Sequence, residues 1–458
     1  MFDRGESGDF NNFGPRVGFA WNPTGKGKMS LRGGGGLFYY SRLPGLFLND
    51  AAISAPFSLR IDLNDSVNGP SQIGNLTNPV VNYPSFSSGF PQRFILANAP
   101  KNATFVANPT VFGLQPGVKW VTPEIYDWNV TYEYQVRHDT VAHVSYVGTR
   151  GTHLRQDVNL NPGVYGGTGS LQSRRPYQPF GVIYQNRNSG ANGYNAMQFD
   201  FEKRPSGAGV MGQITLLGNY TYSKAMDYGL SENGGITDIG SSIGSGMSFY
   251  DPRQHAFETG RSSYNHTHRL VASYVWNLPK LTGENGFVRT IVGGWQWTGL
   301  YSFQTGDPLT IGAGTDISQT GNNGDRVDYK GPADQFGETA APSQRGGCPS
   351  TVKHCKPWLN TTLFAAPAAG TYGNSGKGNW TGPNLWDVDT GLLKVFTPMP
   401  SHENINFQFR SEFFNLFNHP QWADPNVNFS NAAFGSTRGG IGTNADYRII
   451  QLALKMNF

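Results

Sequence analysis

The chain has 458 residues and a formal net charge of +4, and 14% of its residues are charged, against roughly 25% in an ordinary globular chain. So small a balance, without a basic stripe, excludes the usual nucleic-acid binder, and no run approaches the ~18 consecutive apolar residues of a membrane-spanning helix. Glycine (60), proline (29) and aromatic residues (13%) are abundant, a composition suited to many strands joined by polar loops.

In chain order, alternating segments predict eleven strands: 13–22, 29–40, 124–137, 140–150, 194–204, 210–224, 266–278, 290–305, 385–396, 405–417 and 446–458. In "YDWNVTYEYQVR", Tyr126, Trp128, Val130, Tyr132, Tyr134 and Val136 take one face, while Asp127, Asn129, Thr131, Glu133, Gln135 and Arg137 take the other. "QITLLGNYTYS" and "INFQFRSEFF" repeat the pattern. A period of two over about ten residues is a strand signal and cannot be one face of a helix. "LWDVDTGLLKVF" (385–396) alternates poorly, so a bulge or shifted limits are expected there.

The connections alternate strictly. "PTGKGK", "HD", "PSGAG", "PKLTGENGFVR" and "TPMPSHEN" are short, whereas 41–123, 151–193, 225–265, 306–384 and 418–445 are long. Every long loop therefore lies at one end of an up-and-down sheet. This is the asymmetry of outer-membrane barrels, with short periplasmic turns and long outer loops. A soluble sandwich or propeller would have more even connections. With the short turns inside, Phe38, Tyr39, Tyr40, Tyr126, Trp128, Tyr220 and Tyr222 fall near the outer rim. Tyr274, Trp276, Trp295 and Trp297 fall near the inner rim, which gives an aromatic belt at each interface. The expected fold is all-β: a transmembrane antiparallel up-and-down β-barrel.

The first and last predicted strands both run inward, so eleven strands cannot close on themselves in antiparallel order. An open edge in lipid would leave backbone groups unsatisfied at several kcal/mol each. Residues 1–458 are therefore expected to be the C-terminal part of a larger barrel. "MFDRGESGDFNNFGPR" has no basic region followed by an apolar core, so no signal peptide is read at the start.

"FGPRVGFAWNP", "LRGGGGLFYY", "SYVGTRGTHL", "GYNAMQFDFEKR", "YTYSKAMD", "HRLVASYVWNLP", "GGWQWTGLYSFQTGDPLTI" and "FFNLFNHPQW" together resemble the barrel of TonB-dependent receptors, in particular the Oar-like group. The likeness covers nearly the whole chain and thins at 60–120 and 310–380. It implies a 22-stranded barrel closed by a plug domain, of which these would be the C-terminal eleven strands. It further implies uptake of a large solute (metal chelate, glycan or peptide) energised by the TonB complex through an N-terminal box. Plug, box and N-terminal strands are missing from the sequence, so energised transport is not expected of this chain by itself. The final strand, with Leu454, Met456 and a terminal Phe458, matches the segment that the barrel-assembly machinery reads in the family. A structural or adhesive outer-membrane protein, its long loops binding a surface ligand, is the alternative.

No catalytic constellation, cofactor or metal site is expected. "GSSIG" (240–244) matches G-x-S-x-G but lies in a Gly/Ser-rich loop without the strand and helix a nucleophile elbow needs. "RGGGGLF" lacks the Lys-Ser/Thr of a phosphate loop. His255, Glu258, His266 and His268 form the one metal-like grouping, with His266 and His268 expected on one strand face. Cys348 and Cys355 are expected to form a disulfide, as an oxidising compartment permits. Glu133, Arg137, Asp200, Glu202, Arg269, Arg410 and Glu412 are expected on the lumen wall. Arg155, Arg174, Arg175, Tyr177, Phe180, Tyr184 and Arg187 are expected as a basic and aromatic outer-loop patch, facing carbohydrate, an anionic ligand or lipopolysaccharide phosphate.

Overall fold

The computed structural model describes residues 9, 11–25, 27–40, 111–114, 121–164, 168–178, 180–206, 212–228, 259–279, 291–321, 325–331, 348, 355–397, 406–438 and 447–457. Eleven long strands form one continuous antiparallel sheet in sequence order. They are β1 (Arg16–Trp21), β2 (Met29–Tyr39), β3 (Glu124–Arg137), β4 (Thr140–Asn159), β5 (Ile183–Lys203), β6 (Gln213–Tyr228), β7 (His268–Asn277), β8 (Trp295–Gln304), β9 (Leu385–Phe396), β10 (Asn406–Phe414) and β11 (Ile449–Asn457). Among the described residues, β1 and β11 each pair with one neighbour and not with each other. With eleven alternating strands, these two edges point the same way.

The register separates two faces. Tyr132, Val144, Phe199, Tyr220, Leu270, Phe303 and Trp386 are successive partners from β3 to β9, and all are apolar or aromatic. One residue along each strand, the neighbouring row is Glu133, His143, Asp200, Asn219, Val271, Ser302 and Asp387. A single-residue slip would exchange the faces, so the pattern itself fixes the pairing.

The apolar face is open. Val17 is 77% exposed, Leu452 67% and Leu454 68%, while Ala196 is the one buried apolar residue that the eleven strands contribute among the described residues. The buried core lies elsewhere, in the long connections after β8 and β10. There Leu309, Ile311, Ala313, Val327, Trp358, Leu359, Phe364, Trp380 and Phe434 pack together. Three small antiparallel pairs frame it: Pro308–Leu309 with Trp380–Thr381, Asp328–Tyr329 with Phe364–Ala365, and Cys355–Pro357 with Ser436–Arg438. The last of these ties the connection after β8 to the connection after β10, so the two loops fold as one cap. Phe364 meets Trp380 and Phe434 edge-on at 5.1 and 5.5 Å, in the geometry aromatic quadrupoles favour.

Three expectations need correction. β4 and β5 run well beyond 140–150 and 194–204, to Asn159 and from Ile183. Register shifts between Gly151 and Gln156, with His153 at φ 56, reverse the alternation and hid this extension. β9 keeps an unbroken register with both neighbours, so it has no bulge. Its poor alternation comes from Leu385, Leu393 and Val395 standing on the polar face. β7 begins at His268, so His266 precedes the strand and does not share a strand face with it.

Candidate functional site: the polar wall and its outer cap

The wall supplies the inner surface. By register, Glu133, Asp200, Glu202, Arg269, Arg410 and Glu412 all lie on the polar face, in rows with His143, Val141, Thr221, Leu393 and Gly391. Glu133 is paired with Arg32 at 2.7 Å, Asp200 accepts from Asn219, and Glu202 is held by Arg204 at 2.7 Å. Arg410 donates to Gln408 at 3.1 Å. Arg137 departs from the expectation. A register shift between Gln135 and Arg137 sets it opposite Thr140, in line with the apolar-face row. The extra residue at the end of β3, Val136, reverses its side.

The aromatic rims follow the same register. Tyr39, Tyr126, Trp128, Tyr220 and Tyr222 are on the apolar face toward the long loops, whereas Phe38 turns to the polar face beneath Arg16, 4.5 Å from its ring. At the opposite end, Trp297 stacks on Trp276 at 5.8 Å and meets Tyr274 edge-on at 5.4 Å, and Trp295 meets Phe409. Trp386, His419 and Phe417 extend the outer rim, with Trp386 and His419 4.2 Å apart. "FFNLFNHPQW" contains Phe417 and His419 of this cluster, but no period-two pattern marks residues beyond a strand end.

The cap is fastened to the wall by charged side chains. Lys377 reaches Asp227, on the polar face of β6, in an ion pair whose side chains are 3% and 9% exposed. Arg261 donates to the carbonyls of Gly378 (2.6 Å) and Trp380 (2.8 Å) and to the Thr381 hydroxyl (3.1 Å). Burial lowers its pKa without removing its charge. A Cβ on Gly260 would run into the Lys377 carbonyl, so glycine is required where the cap passes over Thr259–Arg261, a short strand paired with β6. Within the cap, Asp325 is buried and accepts from the backbone and hydroxyl of Ser318, and burial pushes its carboxyl above the usual range. Lys356 lies over the Trp358 and Trp422 rings at 5.0 and 5.6 Å.

Among the described residues, the arginines of the expected outer-loop patch do not form an outward basic surface. Arg174 spends its guanidinium on the carbonyls of Val164 (2.6 Å) and Gln319 (2.7 Å), and so staples the β4–β5 loop to the cap. Arg175 is buried against the carbonyls of Asn161 and Gly181. Arg187 donates to Gln185 at 2.7 Å. The Phe180 carbonyl accepts from Asn161 and Gln172, and Tyr177 stays 57% exposed. The reason is that the loop's own carbonyls need donors, and arginine's planar fork supplies several at once. The side chains of Arg155 and Tyr184 lie outside the described residues, although their backbones belong to β4 and β5.

Cys348 and Cys355 are joined in a disulfide, and Cys355 opens a strand pair of the cap. His268 shares a hydrogen bond with the Tyr220 hydroxyl at 2.7 Å, and His266 contacts the Thr305 carbonyl at 3.1 Å. Among the described residues no group of three or more His, Cys, Asp or Glu is disposed to hold a metal ion. His255, Glu258, the "GSSIG" stretch and Phe458 lie outside the described residues. Leu454 and Met456 face outward on β11 in one row set with Phe409 and Phe407.

The family model of the outer membrane beta barrel domain matches residues 3–451. Solved structures with a similar arrangement include the outer membrane transporter YddB of Escherichia coli, at 13% identity and TM-score 0.46, covering 97% of this chain and 40% of that one. The FrpB iron transporter of Neisseria meningitidis shows 12% identity and TM-score 0.37, covering 97% and 39%. The ferric-catecholate import receptor Fiu of E. coli shows 10% identity and TM-score 0.38, covering 97% and 34%. The chain thus spans 40% or less of the length of these proteins. No curated protein matches it.

Proposed function

Because the chain belongs to the outer membrane beta barrel domain family, and so is an integral outer-membrane β-barrel protein, we propose that it is the wall and outer cap of a TonB-dependent receptor that takes up a large solute. One observation carries this: an open apolar face, a continuous polar face, and the buried core placed in the long loops. A protein folded for water buries its apolar face, whereas a barrel in lipid turns that face outward and lines its lumen with polar groups.

Two same-facing edges require further strands, an odd number in antiparallel alternation, since lipid cannot satisfy an open edge. The proposal supplies them from a longer polypeptide that also brings a plug and the segment engaging the TonB complex. Glu133, Asp200, Glu202, Arg269, Arg410 and Glu412 then line the solute path or meet the plug. The cap, fastened by Lys377 and Arg261, covers the outer mouth and meets the solute first. Metal chelate, glycan and peptide remain the solute classes, and the barrel-assembly machinery would read β11.

The test is uptake by cells. A strain lacking the gene is compared with one carrying the full-length gene, using radiolabelled ferric chelate, oligosaccharide or peptide. Restored, energy-dependent accumulation of one label supports the proposal. Outer-membrane localisation with surface binding of a ligand and no accumulation of any label overturns it in favour of an adhesive role.

A further inference from the structure

The apolar face carries two cations at its outer end that the transport function leaves unused. Arg150 on β4 and Lys224 on β6 are both exposed. Each belongs to the apolar-face register. Arg150 lies between Tyr126 on β3 and Gly193 on β5, and Lys224 is opposite Asn195 on β5. They flank β5 from its two sides. With strands ~4.8 Å apart and a two-residue offset along the strand, their Cα atoms are about 12 Å apart.

Between them the surface is open. A Cβ built on Gly193 would meet only the Thr149 carbonyl, at 4.0 Å, so the floor between the two arms is bare backbone. Asn195 accepts the Tyr146 hydroxyl through its Oδ1 at 2.7 Å. That bond turns its Nδ2 donors away from Tyr146. The nearest acid on this face, Glu124, is already engaged by the Tyr126 hydroxyl at 2.9 Å and lies 3.7 Å from His153. Asp227 is on the opposite face with Lys377. Among the described residues neither carboxylate forms an ion pair with Arg150 or Lys224.

Height decides what the cations meet. Arg150 stands ten residues beyond Thr140 at the inner end of β4, and Lys224 eleven beyond Gln213 at the start of β6. At ~3.3 Å per residue and a tilt near 45°, that is roughly 23–26 Å, the top of the apolar band. A lipid-face Lys or Arg costs about 2–4 kcal/mol at mid-membrane and ~0–1 kcal/mol near the interface. At that level the negative charge within reach is the phosphate of lipid headgroups, and a guanidinium fork with an ammonium beside it matches phosphate oxygens.

We propose that Arg150, Lys224 and Asn195 form a binding site for the phosphate of a phosphorylated glycolipid in the outer leaflet. The site rests on the outer-membrane placement and on the long loops facing outward. Acyl chains would descend along Met197, Phe199 and Phe201, which continue the same face of β5 and are exposed.

The test uses the full-length protein extracted from outer membranes, first checked for membrane fractionation and for a heat-modifiable folded band. Native mass spectrometry then counts retained glycolipid after delipidation and addition of bis-phosphorylated lipid A, the same lipid dephosphorylated, or inorganic phosphate. The wild type is expected to retain the bis-phosphorylated lipid at least tenfold better than R150A/K224A, and R150K/K224R is expected to retain it nearly as wild type. Equal retention by R150A/K224A, or of the dephosphorylated lipid, would overturn the site. Competition by millimolar inorganic phosphate as effective as by the lipid would assign it to free phosphate and overturn the lipid. Absence from the outer membrane would instead defeat the barrel placement, so the two failures are distinguishable.

Discussion

Asp227 and Lys377, one on the polar face of β6 and the other 150 residues further on in the cap, meet in an ion pair almost fully withdrawn from solvent. Removing one partner of such a pair leaves a buried charge and costs about 3–5 kcal/mol, whereas replacing both with apolar groups is often neutral. Asp227→Ala is therefore expected to loosen the cap, and Asp227→Leu with Lys377→Met to restore most of its protection. Hydrogen exchange of residues 306–384 reads both. Strand amides of β3 to β8 should be unchanged in either variant.

The cap has the one aliphatic and aromatic core among the described residues, and Ile311 is fully buried in it. Ile311→Ala is expected to destabilise the cap by about 2–5 kcal/mol, the usual range for a buried aliphatic side chain cut to a methyl. Chemical denaturation of the purified full-length protein should show an early transition, detected by Trp358 and Trp380 fluorescence, that separates from barrel unfolding. One unshifted transition would mean that the cap contributes nothing separable.

The wall was legible in the sequence because membrane geometry writes it plainly. Most spans alternate for about ten residues, and β3 has the limits that alternation predicts. What escaped is what alternation cannot encode. The insertion before Arg137 and the shifts near His153 each reverse parity, so single residues changed face and the outer arms of β4 and β5 looked like loop. The cap escaped for another reason. Its core draws Ile311, Val327, Leu359, Trp380 and Phe434 from separate stretches without period, held by two- and three-residue strand pairs. Arg174 and Arg175 looked like a surface patch because sequence shows charge and not the carbonyls waiting to receive it.

Asp424, in the loop after β10, faces Asp307, in the loop after β8. Loss of hydration and the neighbouring carboxylate raise its pKa from 3.8 to about 7, the two groups sharing a hydrogen bond. The folded cap thus holds a proton that the unfolded loop releases near pH 4. The contribution to stability is complete below that pH, declines as pH rises, and is gone above about pH 7. His266, 3.4 Å from Asp307, is a further titratable group at this junction. Cap protection, corrected for the base-catalysed intrinsic exchange rate, is expected to fall between about pH 4 and 7 in the wild type and in His266→Gln. In Asp424→Asn the pH dependence should flatten. Persistence of the full pH effect in Asp424→Asn would assign it to another group.

The two faces of β11 give the sharpest test of which side meets lipid. Leu454 is 68% exposed in the apolar row with Phe409, whereas Gln451 is opposite Glu412 on the polar face. Arginine on the lipid side costs up to about 2–4 kcal/mol at mid-membrane and less toward an interface, while on the lumen side it stays hydrated, and at 451 it gains a carboxylate partner. Leu454→Arg in the full-length protein is expected to lower the folded fraction in phospholipid vesicles, measured by heat-modifiable migration, and to do so more in thicker bilayers. Gln451→Arg should fold as the wild type does. If the two substitutions exchanged these outcomes, the register between β10 and β11 would be off by one residue, and the face assigned to β11 would reverse with it.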